Sequence, residues 1–200
     1  MHPARLFRQT DPAELAALVD GRGLALIIGL VEGRPVVAQA PVLLREGRLG
    51  FHLSRGNPLT GALMARGAEA LAVVNGPDAY ISPDWYDMPD QVPTWNYLTA
   101  ELEGPVTPLD DAGATDLLDG LSERFEAPLA PKPVWTRHKM TPGRFEALLR
   151  GIVAFEMTVE RFEGVWKLSQ NKPTEAIAGV ATALEALSDP AARDIARRMR

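Results

Sequence analysis

Apolar positions come in short runs separated by glycine- and proline-marked turns, and the period within each run predicts its element. "TDPAELAALV" predicts a short helix: Asp11 can cap it, Pro12 suits the first helical position, and Glu14 follows the cap by three residues. "GLALIIGL" predicts a buried strand, and "GRPVVAQAPVLLREGRLGFHLS" two more strands turning at "REGR". "NPLTGALMARG" predicts a short helix capped by Asn57 and opened by Pro58, with Leu59, Leu63 and Met64 inward. "EALAVVNG" and "AYIS" continue as two strand pieces.

"TWNYLTAELEGPV" alternates cleanly, with Asn96, Leu98, Ala100 and Leu102 on the core side and Trp95, Tyr97, Thr99 and Glu101 on the other. Two large aromatics on the less apolar side need cover from a partner element, a second subunit or a cofactor. "DDAGATDLLDGLSERFE" predicts an amphipathic helix between Pro108 and Pro128, followed by a proline-broken excursion that Trp135 pins to the body. "TPGRFEALLR" predicts a short helix capped by Thr141 and opened by Pro142. "GIVAFEMTVERFEGVWKLSQ" predicts one long strand or a bent pair, and the tail from Pro173 is helical with a break at "SDP". Short strands joined by tight turns before any long helix predict an antiparallel meander or barrel, mainly β, with helices added.

Composition narrows the chemistry. Two hundred residues that are 46% hydrophobic can bury one core unaided. No cysteine is present, which removes disulfides, thiolate catalysis and Cys-ligated metals. The three histidines, His2, His52 and His138, show no ligand spacing, so no metal site is expected. The opening residues lack a charged leader followed by an apolar stretch. The longest apolar run, Leu24 to Val31, is far below the roughly 20 residues of a membrane span. A cytoplasmic protein with no membrane partner is the expectation. A net charge of -5 disfavours a strong grip on DNA, although "ARDIARRMR" and "TRHKM" are local cationic candidates.

Two polar clusters and one aromatic cluster carry candidate chemistry. In "FHLSRGNP", His52, Ser54, Arg55 and the cap Asn57 combine a cation, a hydroxyl and helix amides, a plausible phosphate seat or simply a strand-to-helix corner. In "KLSQNK", Lys167, Ser169, Gln170, Asn171 and Lys172 stand where strand gives way to helix, with Ser169 or Asn171 available as a cap. "GPDAYISPDWYDMPDQVPTWNYLT" holds two of the four tryptophans and all three tyrosines. It is either a packing seam or the cover of a flat, half-polar ligand. No nucleophile–base pair is evident.

These three blocks, taken in order, resemble the PaiB-like proteins, FMN-binding negative transcriptional regulators with a flavin-reductase-like split barrel. The likeness covers nearly the whole chain. It departs at "RGNPLTGAL", where relatives often carry an aromatic at or just after Leu59. The resemblance implies a six-stranded antiparallel split barrel over residues 1–170, a helical tail over 171–200, and a homodimer with FMN in a cleft between subunits. It implies His52, Arg55 and Asn57 near the cofactor or subunit boundary. Ser82, Trp85, Thr94, Trp95 and Asn96 would border the isoalloxazine, with Lys167 and Gln170 as polar contacts. A DNA or regulatory-protein partner follows for a repressor. An FMN-dependent oxidoreductase using a nicotinamide donor and a cofactor-free dimer of the same fold stay open as alternatives.

Overall fold

The computed structural model describes residues 3–200, so His2 lies outside the described residues. In chain order the elements are β1 (Arg8–Gln9), α1 (Pro12–Arg22), β2 (Leu24–Val31), β3 (Arg34–Arg45), β4 (Arg48–Ser54) and α2 (Pro58–Leu63). Then come β5 (Glu69–Ile81), β6 (Thr94–Pro108), α3 (Asp111–Glu126), α4 (Arg144–Leu149), β7 (Ile152–Thr158) and β8 (Arg161–Lys167). Helices α5 (Thr174–Glu185) and α6 (Pro190–Arg198) complete the chain.

The strands hydrogen-bond in the order β1-β8-β6-β5-β2-β3-β4-β7, and β6 also pairs with β7. That extra pairing joins β6, β5, β2, β3, β4 and β7 into a cycle of six neighbours, with β1 and β8 outside it. The antiparallel class is as expected. The count is eight among the described residues rather than six, because β1 and β8 add to the six joined in the cycle; β1, only two residues long, is too short to show alternation. That strand exists only through pairing, Arg8 with Val165 and Gln9 with Gly164.

By contacts the chain forms two compact units, each built from separated segments. The first comprises Met1–Leu18, Asn75–Ala100 and Glu163–Arg200, the second Val19–Val74 and Glu101–Phe162.

In the second unit, β2, β3 and β4 are joined by two-residue turns, Glu32-Gly33 and Glu46-Gly47. All four residues have φ between 49° and 75°, the positive values that a tight hairpin turn of this hand requires. The core is apolar at its centre. Phe51 and Phe155 are fully buried with ring centroids 5.5 Å apart. Helix α3, capped by the Asp110 carboxylate on Gly113 N–H, lays Ala114, Leu117 and Leu121 against Leu43 and Ala154. Gly50 makes room for it, since a Cβ there would fall 2.6 Å from Leu117 Cδ1. Asn57 caps α2 as the sequence predicts, accepting from Leu59 N–H at 2.9 Å. Met64, expected inward, is exposed just past the last turn of that helix. The predicted start of α4 also shifts: it begins at Arg144 after Gly143, in the left-handed region with no side-chain cap, while Thr141 only accepts the Arg144 N–H through its carbonyl. The excursion before it holds two 3₁₀ turns, Ala127–Leu129 and Arg137–Lys139. Trp135 is tied to Glu126 by its backbone N–H, with its side chain partly exposed. One side of β2 and β3 presents Leu24, Leu30 and Val37 exposed, beside half-buried Leu26 and Ile28.

The two strand pieces expected at "EALAVVNG" and "AYIS" belong to one continuous strand, β5, which a proline at 77 does not interrupt. α5 starts at Thr174 after Pro173 without a side-chain cap, so neither Ser169 nor Asn171 caps it. α6 is capped by Asp189 on Ala191 N–H. Val180, Ala181 and Leu184 of α5 and Ile195 and Ala196 of α6 are buried. Gly179 lets α5 approach the 3₁₀ turn Pro83–Tyr86: a Cβ there would lie 2.7 Å from the Trp85 carbonyl oxygen.

Candidate functional site

Alternation along β6 carries Asn96 into the interior of the first unit, where it is fully buried. A buried amide needs partners, and Asn96 Nδ2 donates to Ser169 Oγ at 3.0 Å. Ser169 and Tyr86 hydroxyls share a further bond at 2.8 Å. Ser169 follows β8 with a φ of 61°. For serine this left-handed conformation is uncommon and costly, and residues held so concentrate at functional sites.

Above this network lies a cleft of about 480 Å3, in the size range of small-molecule sites. Its polar lining includes Thr94, Asn96, Tyr86, Ser169, Lys167 and Lys172, with Gln91, Asn171 and the carboxylate of Asp90, and its apolar part Leu6, Phe7 and Val92. Lys167 Nζ donates to Thr94 Oγ1 and to the Trp95 carbonyl. Burial holds the pKa of this ammonium below the ordinary lysine value. Lys172 Nζ donates to Gln91 Oε1 and sits 5.3 Å from the centre of the Tyr86 ring, a cation–π arrangement.

The other side of β6 behaves as its alternation predicts. Trp95 is 53% exposed and stands edge-on to Tyr80, itself 46% exposed, with centroids 6.1 Å apart. Tyr97 beside them is half-buried. Ser82 and Trp85 belong to the same unit but do not line the cleft: Ser82 begins the 3₁₀ turn, accepting Trp85 N–H through its carbonyl. Gln170 is exposed and closes its own loop, donating to the Trp166 carbonyl and accepting from Leu168 N–H.

His52, Arg55 and Asn57 belong to the second unit. Arg55 Nε and Nη2 donate to the carbonyls of Arg150 and Ile152 at 3.0 and 3.1 Å, and the Asn57 side chain is engaged as the α2 cap. His52 Nδ1 is buried without a hydrogen-bond partner, and burial lowers the imidazole pKa. Of the ten sequence candidates, Thr94, Asn96 and Lys167 meet at one cleft. Tyr86, Ser169 and Lys172 join them there, and sequence reading had not placed these three in the site. The signal for the last two was the polar density of "KLSQNK"; for Tyr86 it was its place in the aromatic stretch from Gly76 to Thr99.

Two ammonium groups, three hydroxyls and three amides, beside one carboxylate and an apolar lining, fit a phosphorylated guest with a polar chain. The exposed Tyr80–Trp95 pair fits the face of a flat, amphipathic ring. Among the described residues no group of three His, Cys, Asp or Glu is placed to hold a metal, and no helix is long and apolar enough to cross a membrane.

Comparison with known proteins accords with that donor set. In the solved structures, the chain superposes on an FAD- and heme-binding protein from Mycobacterium smegmatis with a TM-score of 0.61 at 23% identity, covering 80% of this chain and 73% of that one. It superposes on the flavocytochrome Anf3 from Azotobacter vinelandii with a TM-score of 0.61 at 15% identity, covering 84% and 72%. These likenesses establish the fold. In sequence it is 27% identical over 203 residues to the "Protease synthase and sporulation protein PAI 2" of Bacillus subtilis, spanning 100% of this chain and 96% of that protein. It is 25% identical over 198 residues to an uncharacterized protein of Emericella nidulans, spanning 83% and 79%. Residues 1–161 match the family described as "Putative FMN-binding domain". The chain belongs to this FMN-binding family, and flavin is its cofactor.

Proposed function

We propose that the protein is a homodimer that binds FMN and serves as a negative transcriptional regulator acting through a protein partner. The observation that carries the flavin part is the cleft in which Lys167, Lys172, Thr94 and Asn96 converge, with an exposed tryptophan–tyrosine pair on the opposite side of β6. Lys167 and Lys172 would hold the phosphate, Thr94 and Asn96 the polar chain, and Trp95 one face of the ring. Bound FMN supplies one- and two-electron chemistry that the side chains lack.

The homodimer is supported by the exposed Leu24, Leu30 and Val37 on one sheet face, since an apolar patch of that kind on a folded chain marks an interaction surface. The regulatory part is supported by the full-length likeness to a sporulation protein. Action through a partner protein is favoured over a direct hold on DNA by the state of the cationic candidates. Arg193 donates to the Leu187 carbonyl, Arg197 and Arg198 pair with Asp194, and Arg200 pairs with Glu185. Arg137 is paired with Asp119, and Lys139 donates to the Val134 carbonyl. The neighbouring carboxylates Asp194, Glu185 and Asp119 lower the net positive charge these segments offer a polyanion.

The test is a titration of flavin-free protein with FMN, followed by light scattering of the loaded protein and a mobility-shift assay on its promoter region with and without cell extract. Stoichiometric flavin on a dimer, with a shift that needs extract, is the expected result. A shift by the purified protein alone overturns the partner route. Rapid turnover of bound flavin with NADH or NADPH and an acceptor replaces regulation by an oxidoreductase.

A further inference from the structure

The second unit contains a cleft of about 360 Å3 bordered by α3, α4 and the start of β7. Of the flavin candidates only Arg55 touches it. Its wall carries three guanidinium groups, Arg55, Arg137 and Arg150, and its floor is apolar, formed by Leu109, Leu149 and Phe145.

Two of the three cations are fixed in advance. Arg55 is held by two backbone carbonyls at 3.0 and 3.1 Å. Arg137 Nε faces both carboxylate oxygens of Asp119 at 3.1 and 2.9 Å, and its guanidinium carbon stands 5.2 Å from the centre of the Phe145 ring. These contacts leave Nη1 of Arg55 and both terminal nitrogens of Arg137 with no acceptor among the described residues. A planar donor fork that is already immobilised loses little entropy when it binds an anion. The exposed carboxylates of Asp111 and Glu146 also line the cleft. They offset most of the positive charge, so the site suits a single negative charge better than a phosphate dianion.

We propose that this cleft binds a small amphipathic monocarboxylate, its carboxylate on Arg137 and Arg150 and its apolar body on Phe145, Leu149 and Leu109. The site stands apart from the flavin reading and gives the protein a second small-molecule input. In this arrangement the floor supplies affinity through apolar burial, and the guanidinium fork supplies orientation.

Calorimetry on the full chain with 3-phenylpropionate, phenethylamine and inorganic phosphate tests it. The expected pattern is one-to-one binding of 3-phenylpropionate, much weaker binding of phosphate, and none of the amine. Arg150→Gln removes a guanidinium with no ion-pair partner among the described residues, and should weaken the carboxylate about tenfold, as for one charge-assisted hydrogen bond, while leaving the unfolding midpoint and FMN titration unchanged. Arg137→Gln should weaken it at least as much, with its folding checked by the same midpoint. Absence of 3-phenylpropionate binding at millimolar concentration overturns the proposal, as does equal binding of the amine or of phosphate. Displacement of 3-phenylpropionate by FMN also overturns it, since the cleft would then belong to the flavin.

Discussion

The two units solve the problem of a buried centre differently. The second is apolar at its centre: Phe51 and Phe155 stack there, and α3 covers its sheet with alanine and leucine. The first places Asn96, Ser169 and Tyr86 in hydrogen-bond contact where an apolar core would have served packing alone. A satisfied polar network adds little net stability over apolar residues of the same shape, and an incomplete one is costly. Its presence beneath a cleft with two ammonium groups, and its absence at the Phe51–Phe155 centre of the second unit, form the contrast on which the proposed flavin site rests.

That contrast can be broken most forcefully in the second unit. Phe155→Ala should cost about 3–5 kcal/mol, read as a drop in the denaturant midpoint at unchanged slope. A loss below that of a surface substitution would mean that the stacked rings are not the centre of the core. In the first unit, Asn96→Ala should cost about 1–3 kcal/mol, because the Ser169 hydroxyl loses its amide partner inside the protein. Adding Ser169→Ala in the same chain should cost less than the two single changes together, and strict additivity would show that no network exists. Trp95→Ala should change folding stability little and lower FMN affinity by about 1 kcal/mol, roughly fivefold. Equal affinity in parent and variant would remove the exposed aromatic pair from the flavin site.

The smallest effect concerns His52. Burial lowers its pKa from the ordinary 6.5, so between the folded and unfolded values the unfolded chain binds more protons. Its contribution to stability is therefore complete above 6.5 and is lost as pH falls through the lowered folded value. The midpoint of unfolding should decline with acidification over that window, less steeply in His52→Gln. Identical profiles would show that the imidazole reaches water.

Sequence reading was most reliable where the signal was local. Asp11 caps α1 through Ala13 N–H, Asn57 caps α2, and the turn at "REGR" falls on Glu46 and Gly47. The period-two pattern of β6 also held, burying Leu98, Ala100 and Leu102 and leaving Trp95 outside. It failed where a partner elsewhere decides the conformation. Thr141 looked like a cap, yet the chain turns at Gly143 and begins α4 one residue later. Ser169 read as a cap for α5 and is instead buried against Tyr86 and Asn96, 83 and 73 residues away in sequence.

What the amino-acid order determined alone is most of the elements, the caps at Asp11 and Asn57, the tight turns, and which side of β6 is apolar, because these depend on neighbours within a few positions. It also determined that no thiol or disulfide chemistry is available to this chain, since it contains no cysteine. The tertiary structure decided which polar side chains meet. Lys167 found Thr94, Lys172 found Tyr86, and Arg55 turned to the carbonyls before and within β7. Such meetings depend on strand order and on the closure of long chain segments, and no short stretch of sequence encodes either.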